Sequence, residues 1–201
     1  MTEPIIHTMP QLSDEWFAVK LGKVSASHID AVLAKGRTRE LYMEWLVGER
    51  LSGIRHESYS NKNMEDGIET EPLAREAYEL DTLTEVKQVG FVELNEWVGC
   101  SPDGLVGDDG LIEIKSVIPS TQVHRISKNK LPSEYVLQVQ SQLLITGRKY
   151  CDFVSYCPAL KQKPYWKIRV ERDEAKIKEI EVGVEIFIDE MKTLIKQITG
   201  E

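Results

Sequence analysis

Between Ser13 and Leu80 the apolar positions fall at helical spacing, and beyond Thr84 they shorten into strand-like runs. Ser13-Asp14-Glu15-Trp16 predicts a capped short helix ending at Gly22. Ser25 or Ser27 is placed to cap a second helix that buries Ile29, Val32 and Leu33. A third follows Thr38, with Leu41, Trp45, Leu46 and Val47 on its apolar side. Helical pattern returns from Asn63 to Leu80, with Pro72 near a first turn or at a break.

Val86, Val89 and Phe91 then predict a strand within Thr84–Leu94, followed by strands at Trp97–Cys100 and Leu111–Lys115. Gly107-Asp108-Asp109-Gly110 is turn chemistry, so the last two strands are expected to form a hairpin. Ser133-Glu134 opens a helix through Tyr135, Val139 and Leu143 that stops at Gly147. Strands at Tyr150–Tyr156 and Tyr165–Val170 precede a long amphipathic helix with Ile177, Ile180, Val184, Ile188, Met191 and Ile195 along one stripe. No repeat or linker divides the chain. The expectation is a single domain over residues 1–201, α/β (α+β), with a central mixed β-sheet flanked by helices.

Composition narrows the classes. With 201 residues and 41% hydrophobic content, the chain can bury a sizeable core. No apolar run is long enough to span a bilayer, and the N-terminus lacks the basic and apolar stretches of a signal peptide. Three cysteines, Cys100, Cys151 and Cys157, without a CxxC pair argue against a disulfide framework or a structural zinc site, and a reducing cytoplasm is expected. The net charge of −8 counts against a nucleic-acid partner until its distribution is considered. From Lys115 to Arg169 ten lysines and arginines face two acids, Glu134 and Asp152, a net +8 that leaves −16 for the remainder. An acidic body with one basic region suits an enzyme that holds DNA on one face and repels it elsewhere.

The chemistry-bearing segment is Ser101-Pro102-Asp103-Gly104 followed by Glu113-Ile114-Lys115. Strand residues two apart share a face, so Glu113 and Lys115 project together while Ile112 and Ile114 point into the core. A turn at Asp108–Gly110 returns Asp103 to the side of Glu113. Two carboxylates and an ammonium at one place suit phosphodiester hydrolysis: oxygen ligands hold magnesium, which activates water and neutralises developing charge, with a second ion at the leaving oxygen. The lysine orients the water or, with a depressed pKa, takes its proton. A Glu/Lys hairpin face is common without function, so the triplet alone is weak. Glu71, near Pro72, is a candidate helix-borne ligand. Gln138 and Gln142, one turn apart in an apolar helix, need polar partners, either backbone or a metal-bound water.

The set Pro102-Asp103 with Glu113-x-Lys115 resembles the PD-(D/E)xK core of restriction-endonuclease-like nucleases. The flanking order narrows the likeness. Trp16 to Leu21-Gly22, Ser25-Ala26-Ser27, Ala34-Lys35-Gly36-Arg37, Gly67-x-x-x-Glu71-x-x-Ala74-Arg75, Tyr135-x-x-Gln138-Val139-Gln140 and the stretch around Ile168–Glu174 resemble the phage lambda exonuclease and YqaJ-type viral recombination nuclease family. The resemblance implies a 5′→3′ exonuclease on 5′-phosphorylated double-stranded DNA, processive, using two Mg²⁺ ions. Mn²⁺ is expected to substitute. It further implies a homotrimeric ring, a single-strand annealing protein as partner, and a phage or prophage gene acting in the bacterial cytoplasm. Carried over, Asp103, Glu113 and the Ile114 carbonyl are metal ligands, with Glu71 and Gln138 completing the site and Lys115 catalytic. Ser27, Arg37 and Ser101 would engage the 5′-phosphate. Lys20 stands where the family often has arginine, and Thr121 lies where it can supply another contact, for which Arg125 is a substitute. Met64 matches a strand-separating wedge. The alternatives are a structure-specific or restriction-type endonuclease with the same centre, and a binding module without catalysis. The gathered carboxylates argue against the latter, because phosphate must approach them.

Overall fold

In the computed structural model, residues 3–56 and 62–200 are described, the side chains of 62–68 excepted. The first helix, α1 (Asp14–Lys20), is capped as its sequence predicts, Ser13 Oγ accepting from the Trp16 amide at 3.2 Å. The next segment departs from expectation. A 3₁₀ turn at Ala26–His28 leads into α2 (Ile29–Leu33), and neither begins with a side-chain cap. Ser25 and Ser27 instead bond to each other at 3.1 Å. Helix α3 (Arg37–Ser52) follows Gly36, and α4 (Lys62–Thr82) runs through Pro72 without a break. Ala74 and Tyr78 of α4 are buried against a sheet, and that anchorage favours one helix over two.

Among the described residues nine strands form two sheets, the larger being the central mixed sheet flanked by helices that the sequence predicts, with a smaller four-stranded sheet beside it. Strands β1 (Ile5–His7), β4 (Phe91–Asn95), β5 (Val98–Cys100) and β2 (Val24–Ser25) lie in the order β1-β4-β5-β2. Strands β3 (Val86–Lys87), β6 (Gly104–Val106), β7 (Gly110–Ser116), β8 (Tyr150–Tyr156) and β9 (Tyr165–Glu171) lie in sequence order. The expected strand within Thr84–Leu94 is therefore two, β3 and β4, in different sheets. The hairpin partner of β7 is also corrected: it is β6, not the strand at Trp97–Cys100, which belongs to the smaller sheet. Parallel pairing of β7 with β8 demands a crossover, supplied by α5 (Pro119–Lys128) and α6 (Val136–Thr146). Helix α6 ends at Gly147, whose φ of 69° is the left-handed stop its sequence predicts.

The larger sheet is covered on both faces. Leu111 and Phe153 pack with Val139 and Leu143 of α6 and with Ile180, Phe187 and Met191 of α7 (Glu174–Thr199). On the opposite face, Ile112, Ile114 and Val154 pack against Ala74 and Tyr78 of α4. Alternation along β7 thus sends its isoleucines toward α4 and Glu113 toward α6.

Candidate active site

The site forms at the C-terminal end of β7, where α4 and α6 converge from opposite faces. Antiparallel pairing matches Gly104 with Ile112, so continuing the register sets Asp103 beside Glu113. Asp103 Oδ2 accepts the Ile114 amide at 2.5 Å. A strand residue directs its N–H and C=O to the same edge, so the Ile114 carbonyl faces that edge too, past the end of β6. Gly104 is required here by space: a Cβ would meet Val86 Cγ1 at 2.2 Å, so only glycine lets β3 close over the turn after Asp103.

Glu113 is 2% exposed, which removes the reading of a solvated hairpin face. Its Oε1 accepts from Gln138 Nε2 at 2.7 Å and pairs with Lys115 Nζ at 2.6 Å. Its Oε2 accepts from Gln142 Nε2 at 2.6 Å. Two glutamines one helical turn apart thus take one oxygen each and fix the plane of the carboxylate. The sequence offers backbone or a metal-bound water as the partner of Gln142; the structure gives it the Glu113 carboxylate instead. Gln140, between them, faces away: its amide spans the Glu171 carbonyl and the Asp173 N–H, at 2.9 Å each, and secures the start of α7.

Glu71 reaches the site from α4 and is held by Arg75 one turn later, which also approaches the Asp103 carbonyl at 3.5 Å. Thr70 beside it bonds the Ser116 hydroxyl at the end of β7. Burial, then the Glu113 and Glu71 carboxylates, push the Asp103 carboxyl well above its ordinary range, against the opposing pull of Lys115 and the Ile114 amide. Burial and Glu113 likewise raise Glu71, although Arg75 and Lys115 oppose this. Burial would lower Lys115, but Glu113, Asp103 and Tyr135 outweigh it and raise the ammonium's pKa. Lys115 thus stands as an ammonium paired with Glu113 at the mouth of the carboxylate group.

Among the described residues, no three Asp, Glu, His or Cys side chains stand as a ready metal cage. Each carboxylate is instead turned to a protein donor. The mutual repulsion that raises Asp103 and Glu71 is nevertheless what a cation would relieve, and the donors are hard oxygens. By donor chemistry Asp103, Glu113, Glu71 and the Ile114 carbonyl could hold a hard cation such as magnesium.

The candidate phosphate residues lie in the N-terminal part of the chain and on the turn before β6. Ser101 Oγ accepts from Trp16 Nε1 at 2.9 Å, and Lys20 Nζ sits 4.3 Å from the centre of the same indole. Trp16, unassigned from sequence beyond its motif, is the common support. Burial lowers the pKa of Lys20, with Glu49 opposing. Ser27 Oγ is exposed and lies 3.1 Å from His28 Nδ1. Arg37 is exposed and tied to Glu44 at 2.8 and 3.1 Å, and no contact joins it to Ser27 or Ser101. Arg125 differs most from expectation. It is 4% exposed and donates to Ser155 Oγ at 3.1 Å and Tyr135 Oη at 3.2 Å, so it does not offer itself to a phosphate directly. The wedge candidate Met64 lies outside the described side chains. Among the described residues no helix is long and apolar enough to cross a membrane.

One end of the sheet thus carries Asp103, Glu113 and Lys115, with Glu71 and Gln138 delivered to it by helices on opposite faces. The YqaJ-like viral recombinase domain model matches residues 15–149, and the chain belongs to that family. It is also similar to an alkaline exonuclease from Laribacter hongkongensis, with 42% identity, a TM-score of 0.87, and coverage of 93% of this chain and 96% of that one. A second structure of that enzyme, in complex with dAMP, matches at 42% identity and TM-score 0.87, covering 92% and 96%. A phage-related exonuclease from Haemophilus somnus 129PT shares the fold at 16% identity and TM-score 0.65, covering 88% and 96%. A comparison with curated proteins returns no match.

Proposed function

We propose that this protein is a Mg²⁺-dependent 5′→3′ exonuclease on double-stranded DNA, degrading the 5′-phosphorylated strand and leaving a 3′ single strand for recombination by annealing. The observation that carries the reading is Glu113: a buried carboxylate at a sheet end, beside Asp103, with Lys115 and Gln138 on one oxygen. A buried charge with this many donors is costly to assemble for stability alone. Its neighbours supply what phosphodiester hydrolysis needs, and the 42%-identical relative is itself described as an exonuclease.

Asp103, Glu113, Glu71 and the Ile114 carbonyl would hold two magnesium ions, which lower the pKa of an attacking water and offset charge on the phosphorane-like transition state. Lys115, 2.6 Å from Glu113, is placed to orient the nucleophile and to offset charge developing on the phosphate. Gln138 fixes Glu113 and presents a polar edge to the water. Ser101 and Lys20, joined through Trp16, together with Ser27 and Arg37, select the 5′-phosphate; Arg37 must exchange Glu44 for it. A homotrimeric ring and a single-strand annealing partner complete the proposal.

The test uses linear duplex with one 5′-phosphate end, one 5′-hydroxyl end and strand-specific labels. Nucleotide release from the phosphorylated strand, with its complement preserved and closed circles uncut, is the expected result. Cutting of covalently closed circles would instead establish the endonuclease alternative.

A further inference from the structure

Below Lys115 a buried polar chain runs from α5 to the start of α6. Gln122 Nε2 donates to the Ser155 and Pro164 carbonyls at 3.2 and 3.0 Å, and its Oε1 accepts from Ser155 Oγ at 2.6 Å. Ser155 Oγ in turn accepts from Arg125 Nη1, and Arg125 Nη2 donates to Tyr135 Oη. The direction of donation is fixed from end to end, because a guanidinium has no acceptor. Tyr135 Oη is therefore an acceptor toward Arg125, and its own proton must point elsewhere. Among the described residues no group accepts that proton, and the hydrogen-bond partners of Arg125 are the Ser155 and Tyr135 hydroxyls, with no carboxylate.

The guanidinium is faced by the Tyr135 and Phe153 rings, 5.3 and 5.4 Å from their centres, and its charge acts on the phenol at short range. The phenol ring is half-buried, packs on Phe153 with centroids 5.0 Å apart, and lies 5.3 Å from Lys115 Nζ. It also begins α6, whose positive end adds to the local field. The hydroxyl thus accepts from one cation while a second lies over the ring, beside the carboxylate site.

We propose that Tyr135 is a substrate-contacting residue whose hydroxyl donates to a non-bridging phosphate oxygen of the DNA strand next to the metal site, and that buried Arg125 is the positioning residue that orients and polarises it. This rests on the nuclease reading for its substrate. It also returns a role to Arg125, which acts through Tyr135 instead of touching phosphate.

The test measures binding of a 5′-phosphorylated duplex by fluorescence anisotropy, in EDTA to prevent cleavage, with single neutral methylphosphonates scanned along the strand. Tyr135→Phe keeps the ring and removes only the hydroxyl; its Kd is expected to rise about tenfold, the effect of one hydrogen bond to a charged group. At one position a methylphosphonate should weaken the wild type by a similar factor and add nothing in Tyr135→Phe. Arg125→Met should resemble Tyr135→Phe, and the two should not be additive. Ser155→Ala removes the other acceptor of Arg125 and leaves its bond to the Tyr135 hydroxyl in place, so its Kd should stay within about twofold of wild type. A Tyr135→Phe Kd equal to wild type, an undiminished methylphosphonate penalty at every position, or an equal loss in Ser155→Ala overturns the contact. Absence of magnesium-dependent cleavage by wild type, with this binding pattern intact, would sink the nuclease reading alone.

Discussion

Replacing Tyr78 with phenylalanine deletes one oxygen from a buried node on the far face of the larger sheet. Tyr78 and Asp152 are each 1% exposed, and the phenol donates to Asp152 Oδ2 at 2.7 Å. Arg169 supplies the other bonds to that carboxylate, from Nε and Nη2 at 2.8 Å each. Phenylalanine fills the same volume, so the loss is the hydrogen bond rather than a cavity. A bond to a charged acceptor contributes about 1.5–3 kcal/mol. In a domain of this size that lowers Tm by roughly 3–12 °C. Urea unfolding measures it as a shifted midpoint at unchanged slope. Tyr78 also lies seven residues after Glu71 on α4, so a loosened helix should blunt the site's magnesium response, with cleavage partly restored at higher magnesium. A variant within about 0.5 kcal/mol of wild type, the range of inert surface changes, would refute the claim that this node fixes α4.

Other predictions concern the carboxylates and their supports. In EDTA, stability should fall as pH rises from about 4 toward neutrality. Asp103 and Glu71 have folded-state pKa values above their unfolded ones, so the native state holds more protons and its advantage is lost as pH passes through the folded values; magnesium should flatten this slope in a pH-resolved thermal melt. Gln142→Leu strips the partner from Glu113 Oε2 in a buried setting and should cost about 1–3 kcal/mol by chemical denaturation. Gly104→Ala forces β6 away from Val86, with an expected loss of about 1–3 kcal/mol and lower activity, because Asp103 moves with it.

The parts of this architecture with a clear period were readable. Helix α7 and the alternation of β7 announce themselves, and β7 alone places Glu113 and Lys115 on one face. The hairpin partner was misread because Val98–Cys100 and Gly104–Val106 are both three-residue, fully buried strands, too short to carry alternation. Helix α5 escaped notice for a different reason: its buried positions include Gln122 and Arg125, so its inward face reads as polar. The division of Thr84–Leu94 between two sheets is likewise a tertiary fact, since Val86 and Phe91 are both buried and look alike in sequence. At the site, residue types singled out Asp103, Glu113, Lys115 and Glu71, which the fold brings together, while the contacts of Gln142, Arg75 and Tyr135 depend on which helix faces which strand.

The central claim is that Glu113 serves a metal-dependent cut rather than stability. The most direct measurement compares wild type with Glu113→Gln on a 5′-phosphorylated linear duplex, first in EDTA and then on adding magnesium, with folded fraction matched by circular dichroism. Magnesium is expected to switch on wild type, and the variant to be slower by on the order of 10³-fold or more, several kcal/mol of lost charge stabilisation. Digestion by Glu113→Gln at the wild-type rate would contradict it.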